Sequence, residues 1–167
     1  MAEYTIGMQI YLLRHGIASD GAPGKPDTER ALTGEGKKEL RALLQLVHKA
    51  GVNPALILSS PYRRAMESAR IAESELECKG GILESHALIP SGDAAEAWQE
   101  IRLHKEARSI LLASHEPLMG LLLGYLLGGL NLQVDFKKGA LARVDVDSLP
   151  VHPRGILKWM IHPKMLR

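Results

Sequence analysis

Three short, nearly uninterrupted apolar runs limit what this chain can fold into: MQIYLL (Met8–Leu13), ALILSS (Ala55–Ser60) and SILLAS (Ser109–Ser114). Apolar runs this short, without polar alternation, read as strands buried on both faces, as in a parallel sheet covered by helices. Helical patterns separate them. Thr33 precedes GEGKKELRALLQLVHKAG, where Leu40, Leu43, Leu44 and Val47 recur at helical spacing; Thr33 is the expected N-cap, Glu35 suits the first turn and Gly51 the stop. Behind the second run, Ser60 reads as a cap with Pro61 at the first helical position, leading into YRRAMESARIAESE. An extended piece is expected over Ile82–Leu88 and a helix from about Ala94 to His104. The third run leads through His115 and Pro117 into a glycine-interrupted buried helix. GALARVDVD and GILKWMI, joined by a proline-containing turn, read as an antiparallel pair that completes the sheet. The order predicts an α/β fold: one three-layer domain over residues 1–167, with a mostly parallel central sheet flanked by helices and a short N-terminal extension over 1–7.

Composition excludes several alternatives. A chain of 167 residues buries enough surface to need no disulfide framework, and its single cysteine, Cys78, has no partner within the chain. Neither the start MAEYTIG nor the cysteine usage indicates export, so the cytoplasm is the expected compartment. The longest apolar stretch, Leu118–Leu132, is interrupted by 4 glycines and falls short of the roughly 20 residues that span a bilayer. With 21 basic and 19 acidic residues, a net charge of +2 and a lone phenylalanine, Phe136, the chain lacks the charge and stacking surfaces of a nucleic-acid binder.

In open α/β sheets, ligands bind beyond the carboxyl ends of the strands. Here those ends carry Arg14-His15-Gly16, then Ser59-Ser60-Pro61-Tyr62-Arg63-Arg64-Ala65, then Ser114-His115-Glu116-Pro117. Parallel strands would place two histidines and at least two arginines around one crevice, an anion site with a candidate nucleophile. Neutral imidazole attacks phosphorus near neutral pH, and guanidinium groups match the equatorial oxygens of a phosphoryl group in transfer. The motifs bring no acidic cluster for a metal, so no metal or cofactor is expected.

In these motifs the chain resembles the histidine phosphatase superfamily, with the phosphoglycerate-mutase-like fold. LLRHG, SSPYRRAMESA and ASHEP stand in the family's order, and ALTGEG matches its Leu-Thr-x-x-Gly helix start. The short chain, LIPSGD and the closing KWMIHPKML look most like the phosphohistidine phosphatases of the SixA type. The resemblance implies that His15 accepts the phosphoryl group, that Arg14 and Arg64, with Gly16, bind it, and that His115 stabilises the transition state. Arg64 rather than Arg63 matches the family pattern.

Many members place a glutamate after the third strand to protonate an alkoxide leaving group. SHALIPSGD offers no clear equivalent; Glu84 and Asp93 lie near without matching. A phosphoramidate makes a smaller demand on such an acid than a phosphomonoester. The expected partner is therefore a phosphohistidine-bearing protein, such as a phosphotransfer domain, admitted to an open groove because the segments between motifs leave no room for a capping subdomain. The alternatives are a small phosphorylated substrate and a phosphate-binding module without turnover. Among the other histidines, His86 is a candidate for lining the pocket. His48 and His104 suit helix ends, and His152 and His162, beside prolines, are not expected to be catalytic. Glu116 beside His115 is not expected to form a metal pair, because neighbouring residues at a helix start point in different directions.

Overall fold

Strand β1 (Met8–Arg14) lies in the middle of a six-stranded sheet, and the elements that follow alternate as the patterning predicts. The computed structural model describes residues 7–129 and 131–167; all of the expected N-terminal extension except Gly7 lies outside the described residues. After β1 come helix α1 (Gly34–Lys49), β2 (Leu56–Ser59), α2 (Arg63–Glu75), β3 (Ile82–Glu84), α3 (Ala94–Arg102), β4 (Ser109–Ser114), α4 (Leu118–Leu126), β5 (Leu141–Val146) and β6 (Ile156–Ile161). The sheet order is β3-β2-β4-β1-β5-β6. Strands β1 to β4 are mutually parallel, β5 runs antiparallel to β1, and β6 antiparallel to β5.

Side-chain alternation along β1 divides the core in two. Met8, Ile10 and Leu12 pack with Trp98 of α3 and Leu122 of α4, whereas Tyr11 and Leu13 pack with Leu40 and Leu44 of α1 and Ala69 of α2. Helices thus cover both faces of the sheet in a single three-layer α/β domain. All six residues of β4 are buried, which explains its lack of polar alternation. Truncating a buried leucine such as Leu112 to alanine would cost about 2–5 kcal/mol.

Thr33 caps α1 as expected, accepting the Gly36 N–H at 2.9 Å, and Gly51 follows the helix with φ 95°. The expected start of α2 is corrected: the helix begins at Arg63 behind Tyr62, not at Pro61 behind Ser60. Ser60 Oγ accepts the Tyr62 N–H at 3.3 Å, outside the helix, and its other contact is with His115. The extended piece expected over Ile82–Leu88 shortens to Ile82–Glu84, because its one neighbour, β2, has only four residues; His86–Leu88 forms a 3₁₀ turn. Helix α3 ends at Arg102 rather than His104, where the His104 N–H bonds Ile101 in a tighter turn. Among the described residues no helix is long and apolar enough to cross a membrane.

Candidate active site

The register of the three central parallel strands aligns their carboxyl ends. Arg14 stands opposite Ser114, and Ser59 opposite Ala113. The next residues continue the ladder: the His15 N–H bonds Ser114 and the Ser60 N–H bonds Ala113, both at 3.0 Å. His15 and His115 therefore meet, with ring centroids 5.1 Å apart.

His15 is buried, and its Nδ1 lies 2.7 Å from the Gly16 carbonyl. A carbonyl only accepts, so Nδ1 carries the proton and the lone pair resides on Nε2. The Arg64 Nε–H donates to that lone pair at 3.3 Å. Burial lowers the His15 pKa to about 4; the Gly16 hydrogen bond opposes the shift, and Arg64, Arg14 and Lys138 add to it. The ring is thus neutral near neutral pH, as a nucleophile requires.

Burial, followed by the influence of His15 and Arg64, lowers the pKa of His115 to about 3. Its Nε2 lies 2.8 Å from Ser60 Oγ, and the Tyr62 ring packs at 5.1 Å between centroids. His115 Nδ1 is buried without a hydrogen-bond partner. Such an orphan costs about 1–3 kcal/mol unless a ligand satisfies it.

Arg14 donates from Nη1 to the Phe136 carbonyl at 2.7 Å, while its Nε is buried without a partner. Arg64, 4% exposed, is held on three sides: Nε on His15, Nη1 on the Asp27 carbonyl at 2.9 Å and Nη2 on Asp27 Oδ2 at 3.1 Å. Arg63 instead points to Glu67, at 2.8 Å, with 59% of its side chain exposed. The geometry therefore separates the adjacent arginines, with Arg64 at the cluster and Arg63 at the surface.

Gly16, expected as a substrate contact, stands directly beside the His15 imidazole. Its N–H donates to Ser68 Oγ at 3.2 Å and its carbonyl holds His15, so it supports the imidazole. A Cβ there would stand 2.8 Å from Leu40 Cδ1 and 3.2 Å from the Gly36 carbonyl oxygen, so the residue packs closely on α1. Neither candidate acid is brought in as a donor. Asp93 caps α3 by accepting the Glu96 N–H, and Glu84 is exposed at the end of edge strand β3.

The carboxylate that does reach the cluster is Asp27, which sequence reasoning missed. Burial works to raise its pKa, but Arg64 and Arg30 outweigh that and leave it below the usual carboxylate value. It is therefore ionised near neutral pH. Nothing local marks Asp27, because its contact with Arg64 spans 37 residues. Ser60 was also missed as a site residue: its motif was legible, but its partner is 55 residues away.

The other histidines fall elsewhere. His48 pairs with Glu77 and His104 with Glu100, while His86 and His152 are exposed. His162 lines a cavity beside Arg14. Glu116 accepts the Gly120 N–H, and among the described residues no group of three or more His, Cys, Asp or Glu could hold a metal.

Residues 10–86 match the family described as the histidine phosphatase superfamily (branch 1). The chain belongs to the histidine phosphatase superfamily. Its likeness there is to the SixA type: it is 28% identical over 162 residues to the phosphohistidine phosphatase SixA of Escherichia coli K12, covering 96% of this chain and 97% of that protein. A structure of the protein histidine phosphatase SixA complexed with tungstate superposes with a TM-score of 0.86 at 27% identity, over 96% of this chain and 100% of the other. An uncharacterized protein of Picosynechococcus sp. is 32% identical over 114 residues, 68% of this chain and 69% of its own length. A putative α-ribazole-5′-P phosphatase from Escherichia coli shares the fold at 18% identity, with a TM-score of 0.72 over 93% of this chain and 97% of the other. The protein is accordingly a phosphatase, a hydrolase of the histidine phosphatase type.

Proposed function

We propose that the protein hydrolyses phosphohistidine on another protein, through a phosphorylated His15 and without a metal ion. The observation that carries this reading is the state of His15: the Gly16 carbonyl fixes its proton on Nδ1, burial keeps the ring neutral, and the Nε2 lone pair faces a buried guanidinium.

In the first step the Nε2 lone pair forms a bond to phosphorus while the phosphorus–nitrogen bond to the substrate imidazole breaks. That electron pair stays on the departing ring, which takes a proton from water. Arg64, already at Nε2, and Arg14, with its unpartnered Nε, bind the equatorial oxygens. In this reading His115 carries its proton on the orphaned Nδ1, where it serves the phosphoryl group, and its Nε2 accepts from the Ser60 hydroxyl 2.8 Å away. Water then attacks phosphorus, the bond to Nε2 breaks, and phosphate leaves. The positive groups supply the charge that a divalent cation supplies in other phosphoryl transfers.

The N–P preference follows from the state of the carboxylates. Asp27 is ionised and hydrogen-bonded to Arg64, and Asp93 is committed to a helix cap, so neither is a ready proton donor for an alkoxide. The expected place of action is a reducing cytoplasm, in keeping with the buried free thiol of Cys78.

The test is phosphate release from a protein carrying N-phosphohistidine and from an aryl phosphomonoester, with a chelator present, in the wild type and His15→Ala. We expect the N–P substrate to be preferred and its turnover to fall by at least about a thousandfold in the variant. Faster turnover of the ester would move the assignment to a small phosphomonoester; chelator sensitivity would contradict the metal-free step.

A further inference from the structure

Arg14 borders a second space besides the histidine cluster. A cavity of about 430 Å3 has Arg14 in its wall together with Lys138, His162 and Lys164, but neither histidine of the cluster nor Arg64. Two carboxylates in its lining are already matched: Asp135 pairs with Lys137 at 2.7 Å, and Glu39 with Arg167. Lys138 and Lys164 make no hydrogen bond or ion pair with any described residue, and His162 Nδ1 is buried without a partner. The cavity therefore has uncompensated positive charge and an unsatisfied polar atom beside an arginine that the proposed mechanism assigns to the phosphoryl group.

Its lysines are carried on backbone fixed to the site. The Gly139 N–H bonds the carbonyls of both Arg14 and His15, at 3.1 and 2.9 Å, which ties the turn holding Lys138 to the end of β1. Gly139 has φ 74°, and a Cβ there would stand 2.9 Å from Pro163 Cγ, so this turn also packs against the segment carrying Lys164. The Lys138 charge reaches His15, where it helps to lower the pKa.

We infer that this cavity is a recognition subsite for carboxylate side chains flanking the phosphohistidine on the substrate protein, with Lys138 and Lys164 as its specificity determinants. The inference depends on the proposed activity for its substrate. Its chemistry is the matching of lysine ammonium groups, next to Arg14, with acidic residues that enter together with the phosphoryl group.

The test uses two peptides bearing a hydrolysis-resistant phosphonate analogue of phosphohistidine, one flanked by glutamates and the other by glutamines. Their dissociation constants are measured with the wild type and with Lys138→Gln/Lys164→Gln, at low and at high salt. The wild type should bind the glutamate peptide about tenfold more tightly at low salt, with the preference shrinking at high salt and close to absent in the double variant. No preference in the wild type, an undiminished preference in the variant, or failure of both peptides to bind would overturn the subsite. Because binding is read without turnover, a preference for the glutamate peptide in a protein that does not hydrolyse phosphohistidine would leave the subsite standing and remove the proposed activity. Turnover of phosphohistidine without the preference would do the reverse.

Discussion

His15 and His115 are buried neutral imidazoles, and their titration links the site to stability. In the unfolded chain both take up protons near pH 6.5, whereas in the folded protein they resist until about 4 and about 3. Between those values the unfolded state binds more protons, so stability is complete above pH 6.5 and declines as the pH falls through the window. Urea titrations at descending pH should show this decline, and His15→Gln should flatten it; an unchanged slope in the variant would contradict a buried neutral His15. As an ionised partner of Arg64, Asp27 positions the guanidinium and donates no proton. Asp27→Asn, which keeps the backbone carbonyl bond to Arg64, should lower turnover of phosphohistidine by less than about tenfold, as for one partly exposed ion pair. An alkyl phosphomonoester makes the larger demand on a general acid, so a loss of about a hundredfold or more confined to that ester would assign Asp27 the proton.

At the scale of elements, the site depends on how closely α1 seats under the strand-end loop. Thr33 Oγ1 caps α1 and also donates to the Ile17 carbonyl at 3.3 Å, and a Cβ at Gly36 would run into that same carbonyl oxygen. Since backbone cannot step aside as a side chain can, Gly36→Ala should destabilise the fold by about 1–3 kcal/mol, read as a lower urea midpoint, and should reduce activity by displacing the loop beside His15. An alanine variant with wild-type midpoint would mean that the loop is not clamped there. These elements were largely legible in the sequence: unbroken apolar runs marked the buried strands, and the Thr33 cap and Gly51 stop bounded α1. The start of α2 was misread because Ser60 has a cap's chemistry at a cap's position, while its hydroxyl is also bonded to His115. The ends of α3 and β3 depend on tertiary neighbours, which no local pattern encodes.

At the scale of the molecule, parallel register turns separate motifs into one site, so His15 and His115 were legible from the strand ends, while only the family pattern told Arg64 from Arg63. What supports them was not: the Phe136 carbonyl on Arg14 and Asp27 on Arg64 are contacts across 122 and 37 residues, made by partners that lie outside the strands and α-helices, in segments without periodic signals. Passage of a phosphoryl group through Nε2 of His15 is read by rapid acid-free quenching during turnover of an N-phosphohistidine protein. Peptide mass spectrometry would then locate the phosphoryl group. One phosphoryl group is expected on the peptide containing His15, linked through Nε2 and absent from His15→Ala. Steady turnover with no phosphoenzyme, or with the group on another residue, would contradict it.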